Sequence, residues 1–464
     1  MTDAREFDVV VVGAGPSGEV CAGRVADAGL SVALVERELI GGECSFYACM
    51  PSKALLRPAQ ALAEARRVPG AAEAADGRLD VAAALRRRDE VIHNLDDSAQ
   101  MPWVEKHGIT LVRGHGELAG EREVQVGEEL LRARRAIVLA PGSAASIPPI
   151  PGLREANPWT NREVTTAAEL PASLLVLGGG VVGVEMAWAY ASLGVKVTLV
   201  EAHERLVGGE EEFASEQVRQ ALVEMGVEVS LGVKARAVHR EPTDGVRGAV
   251  TLELENGRSF VADELLAAVG RRPRTDALGL DTIGLEPGEP VEVDATLRVP
   301  GHDWLYVLGD ANGRVLLTHM GKYQARIAAA HILGRAGGDA ILHSDGHLSP
   351  RVIFTEPQIA AVGHTLVSAR EAGLNVRAVD QPVGANAGGS FVGHEAPGTV
   401  RIVVDEDRSV IVGATFTGVE VAESLHAATI AVIGEVPLER LWHSVPCFPT
   451  RSEVWLRLLE EYGL

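Results

Sequence analysis

Four cysteines in 464 residues are far too few for a disulfide framework, so any sulfur chemistry in this chain is local. Zinc ligands are missing too. The one H-x-x-x-H spacing, His343 and His347, spans a Ser-Asp-Gly turn with no second cysteine pair beside it, and no metal is expected. Positive charge is short, with 43 Lys and Arg against 64 Asp and Glu; the net charge of −21 repels phosphate surfaces and argues against nucleic acid or an anionic membrane as partner. No run is long enough to cross a bilayer, since the most apolar stretch, Leu174 to Ala187, is broken by Gly178, Gly179, Gly180 and Gly183. The N-terminus passes through Thr2, Asp3, Arg5 and Glu6 into an apolar strand without an apolar h-region or a cleavage site, so a cytoplasmic location is expected. There, a close cysteine pair reads as catalytic rather than structural.

That pair is Cys44 and Cys49, in Gly41-Gly42-Glu43-Cys44-Ser45-Phe46-Tyr47-Ala48-Cys49-Met50-Pro51-Ser52-Lys53. It precedes a helical segment, and the spacing lets the sulfurs meet across a turn and a half, which suits a disulfide that opens and closes. Cys21 reads as a packing residue on a helix. With 46% hydrophobic and 23% charged residues, the chain is an ordinary globular protein of two to four domains.

Two stretches explain the 51 glycines in part. Phe7 to Val12 is a largely apolar, β-branched run that feeds Gly13-Ala14-Gly15-Pro16-Ser17-Gly18, a helical pattern to Ala28, a strand Ser31 to Val35, and Glu36. Strand, glycine turn and helix in that order make a dinucleotide fingerprint: the glycines permit close approach, the helix N-terminus faces a pyrophosphate, and the acid holds ribose hydroxyls. The design recurs in Ser173 to Leu177, Gly178-Gly179-Gly180-Val181-Val182-Gly183, a helix, Lys196 to Val200, and Glu201. First glycine and acid are 23 apart in both copies (36 − 13 and 201 − 178). Two dinucleotide sites beside a cysteine pair form a path for electrons from one cofactor to the other and on to sulfur.

Elsewhere, residues 59 to 100 read as long solvated helices, and Val124 to Val138 as strands closing on Leu139-Ala140-Pro141-Gly142-Ser143. Ile147 to Gly152 is proline-rich and marks a boundary. A strand-rich stretch from Val227 to Leu266 ends at Gly270-Arg271-Arg272-Pro273, and Trp304 to Leu308 runs into Gly309-Asp310. From about Ser349 alternating strands and a helix predict a separate α+β domain, closed by a helix over Ser452 to Glu461.

Over essentially its full length the sequence resembles the flavoprotein pyridine nucleotide-disulfide oxidoreductases, the group of dihydrolipoamide dehydrogenase, glutathione reductase and mercuric reductase. The resemblance rests on both fingerprints with Glu36 and Glu201, the C-x-x-x-x-C-x-P-S-K stretch, Gly270-Arg271-Arg272-Pro273, Gly309-Asp310, and Pro449-Thr450-Arg451-Ser452-Glu453. It implies an α/β fold with two Rossmann-like dinucleotide-binding domains and a C-terminal α+β dimerisation domain. The expected divisions are 1–150 for the first part of the FAD domain, 151–270 for NAD(P)H, 271–345 for the second part of the FAD domain, and 346–464 for a homodimer interface. FAD is expected on Gly13, Gly15, Gly18, Glu36, Gly42, Gly116, Gly142, Asp310 and Thr318, and NAD on Gly178, Gly180, Gly183, Glu201 and Gly270. The resemblance makes Cys49 the sulfur near the flavin and Cys44 the interchange thiol, with Lys53 paired to Glu185 and Glu453 as a further catalytic residue; His319 helps to build the flavin pocket. The carboxylate of Glu201 would repel a 2′-phosphate, so NADH is expected, with NADPH as the alternative.

The chain departs from the family at Cys447-Phe448-Pro449-Thr450-Arg451-Ser452-Glu453. Thiol-reducing relatives carry a histidine at the place of Phe448, and a phenyl ring moves no proton. Reduction of a small disulfide, in the manner of dihydrolipoamide dehydrogenase, is the first functional expectation. A quinone or metal-ion reductase without acid-base chemistry is the second, and a redox-sensing flavoprotein the third. Phe46, Tyr47, Trp442 and Phe448 are expected to form an apolar mouth beside Cys44.

Overall fold

A computed structural model describes residues 4–241, 248–335, 337, 340–394 and 396–464; Thr2 and Asp3, used above in reading the N-terminus, lie outside them. The chain divides into two compact units, one of residues 1–51, 89–145 and 271–346, the other of 52–88, 146–270 and 347–464.

In the first unit the parallel strands lie in the order Thr110–Arg113, Val32–Glu36, Arg5–Val12, Glu129–Leu139 and His302–Val307. Val9, Val10, Val11 and Leu34 are wholly buried, as an uninterrupted apolar strand requires when both faces are covered. The helix Pro16–Asp27 follows the first strand directly; Pro16 presets its first turn. The expected strands before Leu139 are Glu123–Val126 and Glu129–Leu139, joined to Gly116–Gly120 as an antiparallel extension. Arg271–Pro273 pairs with Ser143–Ala145.

The second unit holds a four-stranded parallel sheet in the order Glu228–Ser230, Lys196–Val200, Ser173–Leu177, Glu264–Ala267, and an antiparallel meander of Ala235–Arg240, Val250–Leu254 and Ser259–Ala262. It also holds a five-stranded antiparallel sheet in the order Arg351–Ile353, Gln358–Gly363, Val410–Gly418, Thr399–Asp405 and Val376–Pro382. The helices Leu425–Ile433 and Val454–Tyr462 cover that sheet around Phe416, Val432 and Leu458, so the C-terminal region has its own α+β core.

Two expectations are corrected. Residues 59–100 are not helical throughout: Cys49–Arg67 and Val81–Val91 are helices, but His93, Asn94 and Leu95 have positive φ, which interrupts a right-handed helix. Nor is that stretch solvated throughout. Arg88 is buried at 1% exposure, its guanidinium donating to the carbonyl oxygens of Thr165 and Ala167. The two cysteines sit on successive helices: Gly42–Phe46 ends at Tyr47 and a new helix starts at Cys49.

Candidate functional site

The glycine turns are built alike. Gly13 has φ +100° and Gly178 φ +107°, backbone that L side chains rarely adopt. A Cβ at Gly18 would lie 1.9 Å from the oxygen of Gly13, and one at Gly183 at 1.9 Å from that of Gly178, so each third glycine lets its helix close on its turn. The middle glycines differ: a Cβ on Gly15 or Gly180 would meet nothing within 4 Å. The space above the first turn of each helix is left open, at the end where the dipole favours an anion.

The acids are anchored in the same way. Glu36 accepts from Ala14 N at 2.7 Å and from Glu38 N at 2.7 Å; Glu201 accepts from Gly179 N at 2.6 Å and from His203 N at 2.7 Å. Each carboxylate therefore braces its glycine turn from the end of the neighbouring strand. Open turns with a fixed acid beside them fit the adenosine diphosphate portion of FAD and of NAD(P)H.

The helix that carries Cys44 is seated on the first turn. Gly41 N donates to Ala14 O at 2.8 Å, and a Cβ on Gly42 would come within 3.0 Å of Gly15 Cα, so the short helix carrying Cys44 rests against glycine. Both cysteines are thiols here, half-buried, and hydrogen bonded to each other. Cys49 Sγ lies 3.4 Å from Thr318 Oγ1. Hydrogen bonding with Cys49 and then burial push the Cys44 thiol well above the ordinary range, while Thr318 and Lys322 pull it back. Phe46 is buried at 2% exposure, so its ring lines no mouth, contrary to expectation. Phe448 is 77% exposed.

The Gly-Arg-Arg-Pro motif acts through its first arginine. Arg271 Nε donates to Ser143 Oγ at 2.7 Å and its guanidinium lies 3.7 Å from Glu43; Ser143 in turn donates to Asp310, and Arg274 Nη2 reaches Glu43 at 3.1 Å. Glu43, the neighbour of Cys44, is thereby tied to Asp310. Gly142 and Gly270, both with positive φ and open Cβ positions, flank the strands that carry this network. Gly116 lies buried, where a Cβ would crowd Val35 and Val12 at 3.0 and 3.2 Å.

In the second unit Lys53 Nζ sits 2.7 Å from Glu185 Oε2 and over the Phe354 ring at 4.6 Å. Glu185, on Val181–Ser192 and 3% exposed, also accepts from Phe354 N at 2.9 Å. A buried carboxylate needs such a cation. Glu453 Oε2 is buried with no hydrogen-bond partner among the described residues. Ser143, Lys322, Phe354 and Glu19 were not singled out in the sequence. Lys322 had a signal, its four-residue spacing from Thr318; Phe354 had none.

Residues 7–330 match the pyridine nucleotide-disulphide oxidoreductase family, and residues 349–458 match its dimerisation domain. The chain belongs to that family: it is an FAD-dependent NAD(P)H disulfide oxidoreductase, with both nucleotide turns and the cysteine pair in place. Among relatives, dihydrolipoyl dehydrogenase of Halobacterium salinarum is 32% identical, with 98% of this chain and 95% of that protein covered. Mercuric reductase of Staphylococcus aureus is 28% identical, with 97% and 81% covered. The Cu(II) complex of the HOCl-induced flavoprotein disulfide reductase RclA from Escherichia coli superposes with TM-score 0.86 at 24% identity, with 98% of this chain and 99% of that one covered. LpdA from Mycobacterium tuberculosis does so with TM-score 0.85 at 23% identity, with 99% and 100% covered. Those two show the shared fold. Among the described residues no helix is long and apolar enough to cross a membrane.

Proposed function

We propose that the enzyme reduces a small disulfide of the lipoamide kind with electrons from NADH, through Cys44 and Cys49. The observation that carries this reading is the hydrogen bond between the two thiols, Cys49 lying beside Thr318 and Cys44 on a short helix seated against the first glycine turn. Bound FAD supplies the relay between nicotinamide and sulfur. The residues do the rest. The Cys44 thiolate attacks one sulfur of the acceptor, forming a mixed disulfide and breaking the acceptor's S–S bond, whose other sulfur becomes a thiol once it takes a proton. Cys49 then attacks Cys44, closing the 44–49 disulfide and releasing the second thiol. Lys53, fixed by Glu185, is the cation of the flavin site, and Gly13, Gly15, Gly18, Glu36, Gly42, Gly116, Gly142, Asp310 and Thr318 hold FAD. Gly178, Gly180, Gly183, Glu201 and Gly270 hold the nicotinamide nucleotide, where the Glu201 carboxylate disfavours a 2′-phosphate. The working form is a cytoplasmic homodimer joined through 346–464, with 1–150 and 271–345 for FAD and 151–270 for NAD(P)H.

Phe448 favours a second reading, a quinone or metal-ion reductase that needs no proton transfer at sulfur. Anaerobic titration of the holoenzyme with NADH and with NADPH, followed by lipoamide, a quinone or Cu²⁺, separates the two. A long-wavelength absorbance band after two electrons, discharged by lipoamide, is the expected result. Discharge by quinone or metal alone would move the assignment to the second reading, and no band would remove the thiol pair from the path.

A further inference from the structure

Exchange at Cys44 requires the thiolate. Its surroundings favour the thiol, through the hydrogen bond with Cys49 and then through burial, and Phe448 has no proton to take or give. We propose that Lys322 is the positioning cation of the thiol pair, its ammonium stabilising the Cys44 thiolate, with Glu19 as the counter-charge that competes for it. This rests on the reading of Cys44 and Cys49 as the redox pair.

The geometry is that of one helix face. Thr318 opens Thr318–Ile332 and touches Cys49 Sγ at 3.4 Å; Lys322 is four residues on, one turn along the same face, with an exposed side chain. Its charge acts on Cys44 and favours the ionised sulfur. It acts also on Glu19, in the first turn of Pro16–Asp27, the helix packed against its own. That packing is close: a Cβ on Gly321 would lie 2.2 Å from Ser17 Oγ. Two acids of the same unit have partners of their own: Glu43 is held by Arg271 and Arg274, and Glu36 by two backbone amides besides its effect on Glu19. A lysine stays protonated at neutral pH, so the role is electrostatic: the Cys44 proton leaves to solvent, and the thiolate that remains attacks the acceptor.

The test is the pH dependence of iodoacetamide alkylation of Cys44 in the FAD-loaded Cys49→Ser protein, followed by mass spectrometry from pH 6 to 10. Lys322→Met should move the midpoint up by about one pH unit, about tenfold slower alkylation at pH 7, and Lys322→Arg should restore it. Glu19→Gln should move it the other way, by freeing the ammonium. A Lys322→Met profile that superimposes on its parent, with flavin content unchanged, overturns the proposal. The wild-type holoenzyme is scored beside them. If NADH fails to expose Cys44 to alkylation there, the redox-pair reading itself falls and this proposal with it.

Discussion

Glu19 sits half-buried in the first turn of Pro16–Asp27, where burial pushes its carboxyl up to about 7, Lys322 opposing and Glu36 adding to the shift. The folded state therefore prefers the neutral acid. Stability from that preference is fully present below the ordinary carboxylate range and is lost as pH rises through about 7. Glu19→Gln keeps a neutral group at every pH; in thermal melts of the holoenzyme it should gain about 1–3 kcal/mol at pH 8 and match wild type near pH 4. None of this was legible in the sequence, where Glu19 is one acid among 64. The pairing of Lys53 with Glu185 was expected from the family resemblance, and the matched positions of Glu36 and Glu201 from spacing alone. What spacing could not convey is direction. Lys322 matters because one helix face turns toward the thiols, and that is set by the packing of Gly321 on Ser17, two residues 304 apart in sequence (321 − 17).

At the scale of elements, each strand, glycine turn and helix was legible because every local preference agreed: apolar strand, left-handed glycine, proline or open backbone at the helix start. The equivalence of the two turns leads to paired expectations. Gly180→Ala adds a Cβ where the protein has nothing within 4 Å, so the melting temperature should hold while nicotinamide binding weakens severalfold or more. Gly183→Ala drives a Cβ into the oxygen of Gly178, and should cost stability as well as binding, with FAD retained on the intact first turn. Stopped-flow reduction by NADH together with thermal melts would separate the pair; equal loss of stability in both would contradict the open space at Gly180. The cysteine stretch carries a detail at this scale that its spacing did not convey. Two left-handed glycines, Gly41 and Gly42, start a helix of five residues, and a second begins at Cys49 with Pro51 tolerated in its first turn. Helical periodicity over residues 59–100 likewise hid Arg88, whose burial depends on carbonyls 77 and 79 residues away.

At the scale of the whole chain, the second unit is fastened by ion pairs that no motif announces. Arg401 bonds Glu211 at 2.8 Å and grips Asp380 with two bonds of 2.7 Å; Glu211 is 4% exposed and also accepts from Leu366 N at 2.8 Å. Arg351 holds the adjacent Glu210 at 2.6 and 3.0 Å. Arg401→Met leaves a buried carboxylate without its cation and should cost about 3–5 kcal/mol in denaturant unfolding, with Glu211→Gln in the same protein recovering part of it. A loss below about 1 kcal/mol would mean that water reaches Glu211 and screens it. Such pairs join residues distant in sequence, so only the folded chain reveals them. The braced carboxylates bear on inheritance as well. Glu201 holds two backbone amides at the second turn, just as Glu36 does at the first, so deleting it to admit a phosphorylated ribose would orphan both donors at once. A descendant of this chain that binds a phosphorylated ribose there must place basic side chains around a retained acceptor, a path of several coordinated substitutions rather than one.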